Sequence, residues 1–116
     1  MATLAPKDLR RGLPRFEPDA YAHNLALLDG VAAVARDAGC TMAQLALAWT
    51  LARGDHVVPI PGTTRPDHLR ENAGAAAVRL DGATVARLEA LINRDTVRGA
   101  RYPASTQVEI DTEDFA

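Results

Sequence analysis

At 116 residues, with 47% hydrophobic content and a formal net charge of −2, the chain fits one ordinary soluble domain with its own core and is excluded from the disordered class. The near-neutral balance excludes the long-range positive field that draws proteins to nucleic acid or anionic membranes, so neither is expected as a partner. Cys40 stands alone, which excludes a disulfide within the chain, fits a cytoplasmic setting and leaves the expected role of a small buried hydrophobe.

Residues 1–18 carry Pro6, Gly12, Pro14 and Pro18 without sustained periodicity and are expected to form a loop. They hold no apolar run of the secretory-leader kind, and no segment of the chain approaches membrane-spanning length. From Asp19 to Ala38 the residues Leu27, Leu28, Val31, Val34, Ala35 and Ala38 share one helical face, with Gly39 as the stop. Thr41 then opens TMAQLALAWTLARG, in which Thr41 and Gln44 have capping-box spacing and Gly54 closes the segment. Leu45, Ala46, Leu47, Ala48, Trp49, Leu51 and Ala52 wrap most of the circumference, so this helix is expected to be covered on several sides and Trp49 to serve packing.

His56 to Ile60 lacks polar alternation and reads as a short strand buried on both faces of a parallel sheet, the strand region running over 56–62. No other segment reads as a buried strand, so its backbone groups call for neighbours that this chain does not supply. A helix is expected over 65–77, with Pro66 as its first residue and Asp67 at the positive end of its dipole. A further helix over 82–93 has Asp81 as N-cap, Leu80 placed to staple against Val85, and a buried stripe of Val85, Leu88, Leu91 and Ile92. Residues 94–116 lose periodicity and read as a packed tail that frays at its end.

The stretch VVPIPGTTRPDHLREN, Val57 to Asn72, raises a chemical question. Arg65 would sit at the N-cap, where Ser, Thr, Asp or Asn caps a helix better, and a charged His68 in the first turn opposes the dipole. Both choices become favourable once an anion lies over the helix start. Free backbone N–H groups, the hydroxyls of Thr63 and Thr64 and the Arg65 guanidinium then converge on one phosphate, with Gly62 permitting close backbone approach. On local physics alone an ordinary strand-to-helix turn with solvated charges stays open beside this reading.

The segments DLRRGLPRF, AQLALAWTLARG, PIPGTTRPDHLREN with the following AGAA, LDGATVARLEAL and RYP occur in an order that resembles the C-terminal part of an aldo/keto reductase. The resemblance implies an α/β fold, an incomplete (β/α)8 TIM barrel of which only the C-terminal portion is present, so mostly α-helical with one short strand. Residues 1–18 would then be the loop after strand 7, 19–54 the helix 7 region, 56–62 strand 8, 65–77 helix 8, 82–93 an extra C-terminal helix and 94–116 the tail. It also implies NADP as cofactor: Thr63 and Arg65 on the 2′-phosphate, Gly62 and Thr64 in backbone contacts, Glu71 and Asn72 on adenine, and His68 where many members carry arginine. A complete barrel takes about 250 residues.

The family's proton-donating tyrosine and its lysine, aspartate and histidine helpers lie on earlier strands, and Tyr21, Tyr102 and Lys7 sit in no matching context. The resemblance therefore implies a truncated reductase with no catalytic residue of its own and no metal site, not expected to reduce carbonyls alone. Its NADP(H) site would need a completed barrel, the missing part being supplied in trans by another polypeptide as one route. From other classes, a small helical interaction protein without cofactor binding and a helix-turn-helix module remain as alternatives. The helix-turn-helix reading is disfavoured because Thr41 to Ala52 presents almost no polar side chains for base edges.

Overall fold

Gly39 adopts φ +67°, a left-handed conformation open to glycine at little cost, and this ends the first long helix, α1 (Pro18–Asp37). The Gly39 and Cys40 N–H groups donate back to Arg36 O and Ala35 O, which satisfies two terminal carbonyls in a Schellman arrangement. The structure, a computed structural model, describes residues 4–110, so the ends of the expected loop (1–3) and tail (111–116) lie outside it.

Among the described residues four further helices follow: α2 (Met42–Leu51), α3 (Pro66–Gly74), α4 (Gly82–Leu91) and a single turn, α5 (Ala104–Gln107). Short 3₁₀ turns cover Leu9–Gly12, Pro14–Phe16 and Ala75–Ala77. The expected loop over 1–18 thus contains two such turns, and the helix expected over 65–77 changes from α to 3₁₀ at Ala75. Two helix starts follow side-chain caps. Thr41 and Gln44 close a reciprocal capping box on α2, and the Asp81 carboxylate accepts the Thr84 N–H at 2.7 Å on α4.

The Asp81 cap makes acid stability testable. Its carboxyl is held below the ordinary 3.8 by the Thr84 hydroxyl first and the Thr84 backbone N–H second. An unfolded Asp81 binds a proton near 3.8 while the folded one does so only at lower pH. The cap's contribution is therefore complete above 3.8 and disappears as pH falls through the folded value. Asp81→Asn keeps an oxygen at the cap but does not titrate, so urea melts at about pH 5 and about pH 3 should show a smaller acid loss than in the parent.

The chain divides into two compact units, Met1–Leu27 with Asn93–Ala116, and Leu28–Ile92. In the first, polar bonds hold the tail: Asn24 Nδ2 donates to Arg98 O at 2.9 Å while Arg98 N–H returns to Asn24 Oδ1 at 2.9 Å. His23 Nε2 lies 2.8 Å from Thr96 O, and Phe16 stacks on Tyr21 with ring centroids 5.8 Å apart. In the second, Val34 and Ala35 of α1, Leu45 of α2 and Leu88 of α4 form the buried cluster, with Val31, Ala38, Cys40, Trp49, Leu80 and Leu91 packed around it. Cys40, expected to be buried, is half-buried at the margin of the core, and that partial burial pushes its thiol pKa up. Trp49 joins the packing, and the Arg53 guanidinium covers its ring at 4.7 Å. Two residues of the expected stripes stay partly uncovered: Leu28 is 42% exposed, a turn ahead of Val31, and Ile92 is 42% exposed at the α4 C-cap.

The strand expected over 56–62 is not formed, and no strand occurs among the described residues. The reason is physical. A strand is defined by a hydrogen-bonded neighbour, none is present among these residues, and Pro59 lacks a donor N–H in any case. Instead of being buried on both faces, Val58 is 78% and Ile60 91% exposed.

Candidate functional site

The start of α3 is built without a side-chain cap from its N-cap residue. Arg65 holds that position in extended conformation (φ −110°, ψ 125°), with Pro66 at the first helical place. Its carbonyl accepts the first helical bond, from Leu69 N–H at 3.0 Å. Its own N–H donates to Thr63 Oγ1 at 3.1 Å, so the Thr63 hydroxyl folds the turn into the helix.

Five of the seven residues singled out in the sequence line one cavity of about 500 Å³: Gly62, Thr63, His68, Glu71 and Asn72. Pro61 joins them, and the opposite wall is apolar, formed by Ala43, Ala46 and Leu47 of α2. Thr64 and Arg65 do not line it. A Cβ built on Gly62 meets nothing within 4 Å, so the backbone there is open to close approach by a ligand. Glu71 and Asn72 are half-buried, whereas residues 61–70 are all exposed.

The Arg65 guanidinium is turned onto its own helix. Its Nε donates to Asp67 Oδ1 at 3.1 Å and its terminal nitrogen to Asp67 Oδ2 at 2.5 Å, a two-pronged pair. The Arg65 bond holds the Asp67 carboxyl below 3.8, and Asp67 in turn raises the guanidinium pKa. From the sequence Asp67 is expected only to meet the positive end of the helix dipole. An acid two residues after the N-cap arginine was the signal for the pair, but the side-chain conformations that close it are not written in spacing.

From the sequence Gln44 is expected only in the capping box, where its Oε1 accepts the Thr41 N–H at 3.2 Å. The same amide also donates through Nε2 to Glu71 O at 3.0 Å, tying α2 to the second turn of the site helix. A Cβ on Gly74 would stand 2.8 Å from that Nε2, so glycine there leaves room for the tie. The missed signal was the spare donor of a Gln where Glu would complete the box equally well. Gln44→Glu should keep the box yet set a carboxylate oxygen against Glu71 O, and is expected to cost about 1–3 kcal/mol in a denaturant melt. Amide exchange at Glu71 and Asn72 should rise with it.

Among the described residues no group of three or more His, Cys, Asp or Glu is placed to hold a metal ion, and no helix is long and apolar enough to cross a membrane. In comparisons with known proteins, the model of the aldo/keto reductase family matches residues 2–93. A curated relative, the aldo-keto reductase yakc (NADP(+)) of Schizosaccharomyces pombe (strain 972 / ATCC 24843), is 41% identical over 107 residues. That match covers 90% of this chain and 32% of the relative, so the chain spans about a third of the length of the curated protein it resembles.

Proposed function

Because the chain belongs to the aldo/keto reductase family of oxidoreductases, we propose that its 62–72 segment binds the adenosine 2′-phosphate end of NADP(H). Membership implies part of a (β/α)8 barrel. In this reading residues 56–62 supply its eighth strand once neighbours pair with them, 65–77 its eighth helix and 82–93 the added C-terminal helix.

The observation that carries the reading is the gathering of Gly62, Thr63, His68, Glu71 and Asn72 on one cavity beside an uncapped helix start. The donor set fits a phosphate ester next to a purine. Thr63 and Arg65 take the 2′-phosphate, Gly62 and Thr64 approach through the backbone, and His68 lends a third side chain when charged. Glu71 and Asn72 face the adenine, while Ala43, Ala46 and Leu47 offer it an apolar wall. The relative named for NADP(+) supports the choice of cofactor.

When bound, NADPH supplies a hydride; these residues hold and orient its far end. No residue here is assigned to proton donation. The nicotinamide half of the site and the carbonyl substrate belong to other barrel strands, whether in the same polypeptide or supplied in trans.

The test is a titration of the isotope-labelled chain, in a barrel completed by the missing strands, with NADP+ and with NAD+, followed by amide chemical shifts. NADP+ should move the Gly62, Thr63, His68, Glu71 and Asn72 signals, and NAD+ chiefly those of Glu71 and Asn72. Shifts confined to other helices, or the same response to both dinucleotides, would remove the reading.

A further inference from the structure

We propose that Asp67 is an internal competitor for the cofactor's phosphate, occupying the donors of the α3 start and thereby setting how strongly the site prefers a 2′-phosphorylated nucleotide. The inference rests on the cofactor reading above.

A guanidinium has few edges on which two parallel N–H groups meet an oxyanion, and one of the best is the pair formed by Nε and a terminal nitrogen. In this structure that edge is closed by Asp67, at 3.1 and 2.5 Å. The backbone N–H groups of His68 and of Asp67 itself also favour the ionised carboxylate, so the same anion draws on the helix start. Arg65 correspondingly stays off the lining of the cavity formed by Gly62, Thr63 and His68. One carboxylate thus holds the guanidinium edge that a phosphate would otherwise take, while Asp67 itself stays outside that cavity.

This occupant is exchangeable. The Arg65 and Asp67 side chains are 64% and 58% exposed, so the pair is screened by solvent rather than locked in a core. A phosphomonoester carries a charge of about −1.5 to −2 and three acceptor oxygens, against a single charge and two oxygens for the carboxylate. It displaces Asp67, but must then share the helix start with a like charge. A nucleotide without the 2′-phosphate has nothing to offer Arg65 that matches what Asp67 already provides. Asp67 therefore lowers affinity for the phosphate and keeps Arg65 from capturing weaker anions.

The test uses adenosine 2′,5′-bisphosphate and 5′-AMP as probes, titrated calorimetrically at low salt into the parent chain, Asp67→Asn, Asp67→Ser and Asp67→Asn combined with Arg65→Ala. Asparagine and serine both suit a helix first turn, and circular dichroism verifies that each variant is folded. Removing one like charge at close range in water should tighten bisphosphate binding by about fivefold, leave 5′-AMP unchanged, and give no gain when Arg65 is absent. Equal or weaker bisphosphate binding by both single variants, with the parent still preferring bisphosphate over 5′-AMP, overturns the competitor role alone. No preference for the bisphosphate in any variant overturns this inference together with the cofactor reading.

Discussion

Arg65→Ala is expected to weaken NADP(H) binding about ten- to a hundredfold and to leave NAD(H) binding nearly unchanged. The two dinucleotides differ only in the 2′-phosphate, so an arginine that meets this group alone must show its loss in one ligand and not the other. The size follows from a charge-assisted hydrogen bond at a site open to solvent, where screening keeps the effect toward the lower figure. Arg65→Lys should recover only part of the loss, because a point charge lacks the planar fork. Removing Asn72 should weaken both dinucleotides alike, since adenine is common to them. Titration by calorimetry in the barrel-complete context separates these cases. An equal loss for both ligands in Arg65→Ala would withdraw the assignment of Arg65 to the phosphate.

Leu45→Ala should be the most damaging single truncation for stability, at about 2–5 kcal/mol. Leu45 is 0% exposed and stands in α2 against Val34, Ala35 and Leu88, so its loss opens a cavity at the meeting point of three helices. Few residues can close that cavity. Among the described residues the buried apolar set is Val34, Ala35, Leu45, Ala48, Ala75 and Leu88, half of it alanine. Measured against the roughly 5–15 kcal/mol typical of a domain, such a loss is a large share of the total. Urea denaturation is the measurement, and a cost below about 1 kcal/mol would mean that α2 does not pack on this cluster.

What could be read from the sequence follows the range of the forces involved. The stop at Gly39, the box between Thr41 and Gln44 and the cap at Asp81 are contacts across a few residues, and each is present as expected. Val34 and Leu88 fall on the buried side because helical period alone selects them. The strand depends on partners far away in a sheet, and periodicity describes only the chain's own half of that bargain. At the site, five of the seven residues named from the sequence line one cavity and Thr64 and Arg65 do not. The local sequence did not specify the α2 wall of Ala43, Ala46 and Leu47, the Gln44 bond to Glu71 O, or the closure of Arg65 on Asp67. Those depend on helix placement and rotamer choice.

The uncovered Val58 and Ile60 flank a residue whose ring has no hydrogen to give. An apolar ribbon left without cover is ordinarily a template on which a second molecule can zip, the first step toward insoluble stacks. Pro59 interrupts that zipper from within: any molecule aligning here meets a missing rung between the two greasiest positions. The same imino acid that weakens this ribbon as a free strand thus doubles as a gatekeeper of colloidal behaviour while its flank lies bare.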